Sequence, residues 1–203
     1  MARTVEDTST HKPMFVVALA ASAGGLAAIS QILSTLPAEF PAAIVVLQHV
    51  SPNHISYLSD ILSRRTRLKV KQAEPNDQLL PGVIYIAPPN WHLLVKPGGV
   101  LTLSQTAPLH FVRPSADVLF ESLATSFKNY AIVVILTGTG YDGSEAIKTV
   151  KDMGGTVIAQ DKTTSEFFGM PEAAIRTGYV DHVLPLNEIS PLLLSLVSLG
   201  NVE

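Results

Sequence analysis

A chain of 203 residues is long enough for one substantial domain and short for two. With 47% apolar and 15% charged residues it is not a disordered chain, and a net charge of -3 gives no general pull toward nucleic acid or an anionic membrane. It contains no cysteine, which excludes disulfides, thiolate nucleophiles and cysteine-bound metals.

Residues 1–13 are polar and unpatterned and read as a tail or linker remnant, with the folded unit expected over 14–198 and a short tail over 199–203. "MFVVALA" is a short β-branched apolar run of the kind buried on both faces of a parallel sheet. Continued through "ASA" it imitates the apolar part of a secretion signal. Glu6 and Asp7 spoil the positive leader, and Gly24-Gly25 interrupt the run short of the roughly 20 residues a membrane span needs. A cytoplasmic protein without membrane insertion is the expectation.

Leu26, Ile29, Ile32, Leu33 and Leu36 form a helical stripe that Pro37 stops. "AAIVVLQH" predicts a second buried strand, and Ile55, Leu58, Ile61 and Leu62 a second helix. The middle third, "VIYIAPP", "WHLLVKPGG" and "VLTLSQ", alternates more, so Pro97-Gly98-Gly99 is expected to turn an antiparallel hairpin. Ser115 can N-cap a helix carrying Leu119, Leu123 and Phe127, and "YAIVVILTG" is the third buried strand. A helix from about Ser144, the strand "TVIAQ", a short helix after Pro171, the strand "YVDHVLP" and a last helix complete the chain. The fold class is therefore α/β: a single domain with a largely parallel, doubly wound sheet and an antiparallel hairpin insertion.

In such a sheet, chemistry sits at the carboxyl ends of strands, where Ser22, His49 and Asp142 fall. Gly138-Thr139-Gly140-Tyr141-Asp142-Gly143 also matches the G-x-G-x-x-G of dinucleotide-binding loops, with Asp161 at the ribose position. Asp142 would however repel a pyrophosphate, at about 1 to 4 kcal/mol for a like-charge contact near 4 Å. No G-K-[ST] follows, so a nucleotide-triphosphate loop is not present. The glycines suit instead a sharp turn that presents an acid.

Ala20-Ala21-Ser22-Ala23-Gly24-Gly25 resembles a nucleophile elbow, with small neighbours and a helix N-terminus behind the serine. Each residue also has a plain structural reading: Ser22 or Asp142 could cap a helix, and His49 could be a hydrogen-bonded loop histidine. Spacing alone leaves hydrolase chemistry and these alternatives open.

"ASAGG" at 21–25, "LQH" at 47–49 and "LTGTGYDG" at 136–143 resemble the active-site motifs of the chemotaxis methylesterase CheB. "RPSADVLFESLA" and "FGMPEAAIRTGYVDHVLPLNEI" are similar to further hallmarks of its catalytic domain, and the resemblance runs over 14–198. It implies a protein-glutamate methylesterase with a Ser22, His49 and Asp142 triad, backbone oxyanion donors at His49 and Thr139, and no cofactor. It implies as partner a methyl-accepting chemotaxis receptor or similar methylated protein, and some members also deamidate glutamine. Members of that family usually carry Met at the Thr139 position and a hydroxyl residue at the Ala23 position. The receiver domain that typically precedes this domain is missing from the chain, which implies either a free-standing enzyme or a piece of a longer protein.

Arg64, Arg65, Arg67, Lys69 and Lys71 crowd together and read as a solvated helix end and edge strand, with a docking patch for an acidic receptor helix as the sharper alternative. His49 and His54 lack a third metal ligand in sequence, no H-E-x-x-H occurs, and His92 beside Trp91 reads as a packed histidine.

Overall fold

The computed structural model describes residues 14–50 and 56–199; the expected tail at 1–13, residues beyond 199, and His54 and Ile55 lie outside the described residues. β1 (Phe15–Ala21) and β2 (Ala42–Gln48) are almost wholly buried, which explains why their sequences show no alternation. Between them α1 (Gly25–Thr35) buries Ile29, Ile32 and Leu33, as its stripe requires. α2 (Leu58–Ser63) leads to β3 (Lys69–Gln72) and β4 (Val83–Ile86). β5 (His92–Lys96) and β6 (Val100–Ser104) form the expected antiparallel hairpin as a sheet of their own.

α3 (Ala116–Phe127) precedes β7 (Ala131–Ile135), then come α4 (Ile147–Asp152), β8 (Thr156–Gln160), α5 (Gly169–Arg176), β9 (His182–Leu184) and α6 (Leu186–Leu199). The main sheet has seven strands in the order β3-β4-β2-β1-β7-β8-β9, every neighbouring pair parallel. "VIYI", grouped by its punctuation with the hairpin region, is thus a parallel strand of the main sheet. α4 begins at Ile147 rather than near Ser144, because residues 142–146 are held in turns that serve the site described below.

The strands' alternate residues feed two cores. Val16, Ala18, Ala20, Val45, Leu47 and Val133 pack toward Leu119, Phe120 and Leu123 of α3. Val17, Leu19, Ile44 and Val46 pack toward Ile29, Ile32 and Leu33 of α1 and Leu193 and Val197 of α6. Each such buried Val, Leu, Ile or Phe side chain is worth about 1.5–3 kcal/mol. This is the doubly wound arrangement expected, with helices covering both faces of the sheet. Among the described residues no helix is long and apolar enough to cross a membrane.

Candidate active site

β1 lies at the centre of the sheet. The chain runs from it to β2 on one side and later returns as β7 on the other. The loops leaving β1 and β7 therefore diverge, and a crevice opens at their carboxyl ends. The ladders continue one step beyond the strands: Ser22 N–H donates to Thr137 O at 3.0 Å and His49 N–H to Ala21 O at 3.0 Å. Ser22 and His49, separated by 27 positions, thereby start adjacent loops.

The turn at Ser22 depends on small residues. Gly24 has φ +76, and a Cβ there would meet Glu166 Oε2 at 2.7 Å. A Cβ on Gly138 would lie 2.9 Å from Ser22 Cβ and would clash with Met170 Sδ. Gly25 N–H (2.9 Å) and Gln48 Nε2 (2.7 Å) both donate to Ser22 O and fix the elbow. Ser22 is half-buried, and among the described residues its hydroxyl makes no hydrogen bond.

Strand parity orients the histidine. Ala43, Val45 and Leu47 face α3, so His49 continues that face while Gln48 points toward α1. On the α3 side His49 Nε2 meets Asp142 Oδ2 at 2.9 Å. An ionised carboxylate only accepts, so Nε2 carries the proton and Nδ1 is the basic nitrogen.

Asp142 is 5% exposed and held from four directions. Besides His49 it accepts Ser115 Oγ–H at 2.7 Å, Ala116 N–H at 2.6 Å and Asp117 N–H at 3.4 Å. Burial pushes its carboxyl upward, but the bonds from His49, Ala116 and Ser115 outweigh this and hold it below its ordinary value. Ala116 and Asp117 are the first residues of α3. Asp142 therefore caps the N-terminus of α3 from a distant loop and sits in the favourable field of that helix end. This corrects two expectations. Ser115 stands at the N-cap position but makes no cap bond, its hydroxyl being used on Asp142. Asp142 caps α3, not the helix that follows it.

One expected oxyanion donor is also corrected. The His49 N–H is consumed by Ala21 O, because the parallel ladder extends to that residue. Thr139, exposed at the loop rim, keeps an N–H without a partner among the described residues, as does Ala23 directly after Ser22.

Asp161 does not stand ready for a ribose: it accepts bonds from Thr163 Oγ1, from Thr164 Oγ1 at 2.6 Å and from Thr164 N–H at 3.0 Å, closing a local turn. The glycine loop opens no long helix either, since α4 starts four residues after Gly143. Two members of the basic cluster are engaged, whereas Arg64, Arg67 and Lys69 are exposed and show no side-chain partner among the described residues. Lys71 pairs with Asp77 at 2.7 Å and Glu74 at 3.2 Å, Arg65 reaches Ser30 at 3.1 Å, and Lys69 and Lys71 lie on the edge strand β3. His92 is buried, accepts Ser115 N–H on Nδ1 at 3.2 Å and lies 3.2 Å from Ala107 O through Nε2, so it is a packed, bonded histidine that braces Ser115.

Sequence reasoning overlooked the supporting polar groups. Thr137 N–H donates to buried Gln160 Oε1 at 2.8 Å, and its hydroxyl lies 3.0 Å from Ala23 O and 2.8 Å from Phe167 N–H, tying the serine turn to the 160s loop. Asp117 is 4% exposed, and burial raises its carboxyl to about 6. The available signal was a polar residue within or just after each apolar run: Gln48, Thr137 and Gln160 all occupy that position.

Residues 17–193 match the model of a family described as CheB methylesterase. The chain is 43% identical over 185 residues to the protein-glutamate methylesterase FrzG of Myxococcus xanthus, covering 91% of this chain and 55% of that protein. It is 38% identical over 180 residues to a putative protein-glutamate methylesterase/protein-glutamine glutaminase of Leptospira interrogans, covering 89% of this chain and 93% of that protein. A crystal structure of the Thermotoga maritima CheB methylesterase catalytic domain superposes with a TM-score of 0.88 at 41% identity, covering 91% of this chain and 99% of that one. The chain thus spans about half the length of some curated relatives, at 55% and 54%, and nearly all of others.

Proposed function

Starting from the chain's membership of the CheB methylesterase family, we propose that it hydrolyses glutamate methyl esters on a chemoreceptor-like protein, in the cytoplasm, with Ser22, His49 and Asp142 as its triad. The observation that carries this reading is the 2.9 Å bond from His49 to a buried, ionised Asp142, made beside a serine on a glycine-rich elbow. That bond leaves Nδ1 as the base for a hydroxyl on the neighbouring loop. The mechanism requires the Ser22 hydroxyl to meet Nδ1 in the substrate complex, where catalytic hydrogen bonds tighten.

Ser22 Oγ attacks the ester carbonyl as His49 Nδ1 takes its proton. Asp142 holds the ring in the required tautomer and stabilises the imidazolium. The C–O bond to the methoxy group breaks, His49 returns the proton, and methanol leaves. Water then repeats the sequence in reverse on the glutamyl ester of Ser22 and frees a carboxylate. The N–H groups of Thr139 and Ala23 receive the oxyanion, each such donor being worth about 3–4 kcal/mol in serine hydrolases. Thr139 acts through its backbone, so its replacement of the usual Met leaves this step intact. Glutamine amides enter the same acyl-enzyme with loss of ammonia, in keeping with relatives named as glutaminases.

Methanol release from methylated receptor tests the reading. Ser22→Ala is expected to reduce it by about 10³-fold or more. Release undiminished in Ser22→Ala would overturn the mechanism, and none from the native chain would favour a partner-binding module.

A further inference from the structure

Beside the triad acid lies a second set of ionisable groups that the reaction does not use. His110 comes from the loop before Pro114, Asp117 from the first turn of α3, and Glu145 from the turn before α4. His110 Nε2 stands 3.1 Å from Glu145 Oε2 and 4.0 Å from Asp117 Oδ2, and all three ligand atoms lie within 4.8 Å of one another.

Two of these atoms are buried and lack a hydrogen-bond partner: Asp117 Oδ2 and His110 Nε2. Asp117 itself is only 4% exposed. Its other oxygen is engaged, accepting Ala146 N–H at 2.9 Å, which fixes the carboxylate so that Oδ2 turns toward His110. Glu145 is near enough to His110 but off the axis of a hydrogen bond. Asp142 adds further negative charge alongside, and among the described residues no Lys or Arg pairs with Asp117 or Glu145. Arg113, three residues after His110, is spent on Asn90 Oδ1 and on the carbonyls of Gln105 and Thr106. A buried unpaired acceptor in an uncompensated acidic pocket is costly unless something positive enters.

The histidine is also prepared as metal ligands are. Its Nδ1 lies 3.1 Å from Tyr141 Oη, and the two rings meet edge to face at 4.7 Å. With Nδ1–H donating to that hydroxyl, such a bond fixes tautomer and ring orientation and leaves Nε2 with a lone pair. His110 holds this pose at a left-handed φ of 50.

We propose that His110, Asp117 and Glu145 form a binding site for one divalent cation of the zinc or manganese class, clamping the 140s turn to α3 beside the catalytic acid. One imidazole and two carboxylates suit such borderline ions, and three protein ligands leave a position for water. A tetrahedral ion at about 2.0–2.2 Å from each atom needs ligands about 3.3–3.6 Å apart. Glu145, 60% exposed on a flexible stem, can supply the contraction. Any such ion neutralises the charge next to Asp142 without touching the serine. No sequence motif marks the site, because its ligands come from three separate segments.

The test is calorimetric titration of chelator-stripped protein with ZnCl2 alone, paired with thermal melts, and with MgCl2 as the weaker comparator. The native chain should bind one equivalent of zinc and melt at a higher temperature with it. His110→Ala and Glu145→Gln should each weaken zinc by about tenfold or more, while their metal-free melts stay close to the native one. Should His110→Ala fail to fold, Glu145→Gln, at an exposed position, decides the matter. Absence of zinc binding, binding unchanged in these variants, or loss in only one of them overturns the site.

Discussion

Ser115 shows how much a single hydroxyl contributes. Its 2.7 Å bond is one of several that keep Asp142 ionised and aimed at His49. Ser115→Ala leaves the Ala116 and Asp117 N–H groups in place, so the acid remains charged but less constrained. We expect kcat to fall about tenfold with KM nearly unchanged, and stability to drop by about 1.5–3 kcal/mol, as for a buried bond to a charged group. Methanol kinetics and urea melts read the two effects separately. Gly138 sets a different limit, because a methyl group there has no space beside Ser22 Cβ. Gly138→Ala is expected to abolish turnover, and adding Met170→Ala, which frees the clash with sulfur, should restore stability but not activity. Recovery of turnover in the double variant would show that Met170, and not the serine turn, was the obstacle.

At the scale of elements, the buried strands were legible because their runs are short, β-branched and unalternating. β1, β2 and β7 emerged where the residues placed them, and so did the stripe of α1. β4 was harder: a four-residue strand flanked by proline and glycine looks the same in sequence whether it joins a hairpin or enters a parallel sheet. The trio Ser22, His49 and Asp142 could be named because each follows an apolar run. Nothing local announced that Asp142 caps a helix starting 26 positions earlier, since that bond is a product of tertiary folding. The same holds for the cluster around His110. The turn after β8 supports a further expectation. Burial pushes the Asp161 carboxyl up, but the bonds from Thr163 and Thr164 together draw it lower overall. A depressed folded value stabilises the chain above the unfolded carboxylate range, and that contribution disappears as pH falls through the folded value. Asp161→Asn should therefore be less stable than the native chain near pH 7, with the gap closing as pH falls below the ordinary carboxylate range and the native aspartate protonates. Urea midpoints across that range check this, and a gap constant with pH would remove the electrostatic account.

For the whole molecule, the sheet separates two cores with different duties. Phe120 is fully buried on the α3 side and lies where a Cβ on Gly143 would meet its ring at 3.0 Å. Leu33 is as buried on the α1 side, far along the helix from Ser22. Truncating either to alanine should cost about 2–5 kcal/mol. The variants should differ in chemistry: Phe120→Ala loosens the turn that carries Asp142 and lowers kcat in the folded protein. Leu33→Ala leaves turnover per folded molecule unchanged. Equal activity losses at a temperature where both remain folded would show that the two cores are not independent.

The carboxylate that tunes the histidine also terminates a helix, so reactivity and architecture are written in the same atoms. A descendant of this chain that abandoned hydrolysis could discard its serine at little structural expense, yet would still need an acid or its mimic at position 142. An aspartate found there accordingly testifies to a well-made scaffold, and the serine is the better witness to a living enzyme.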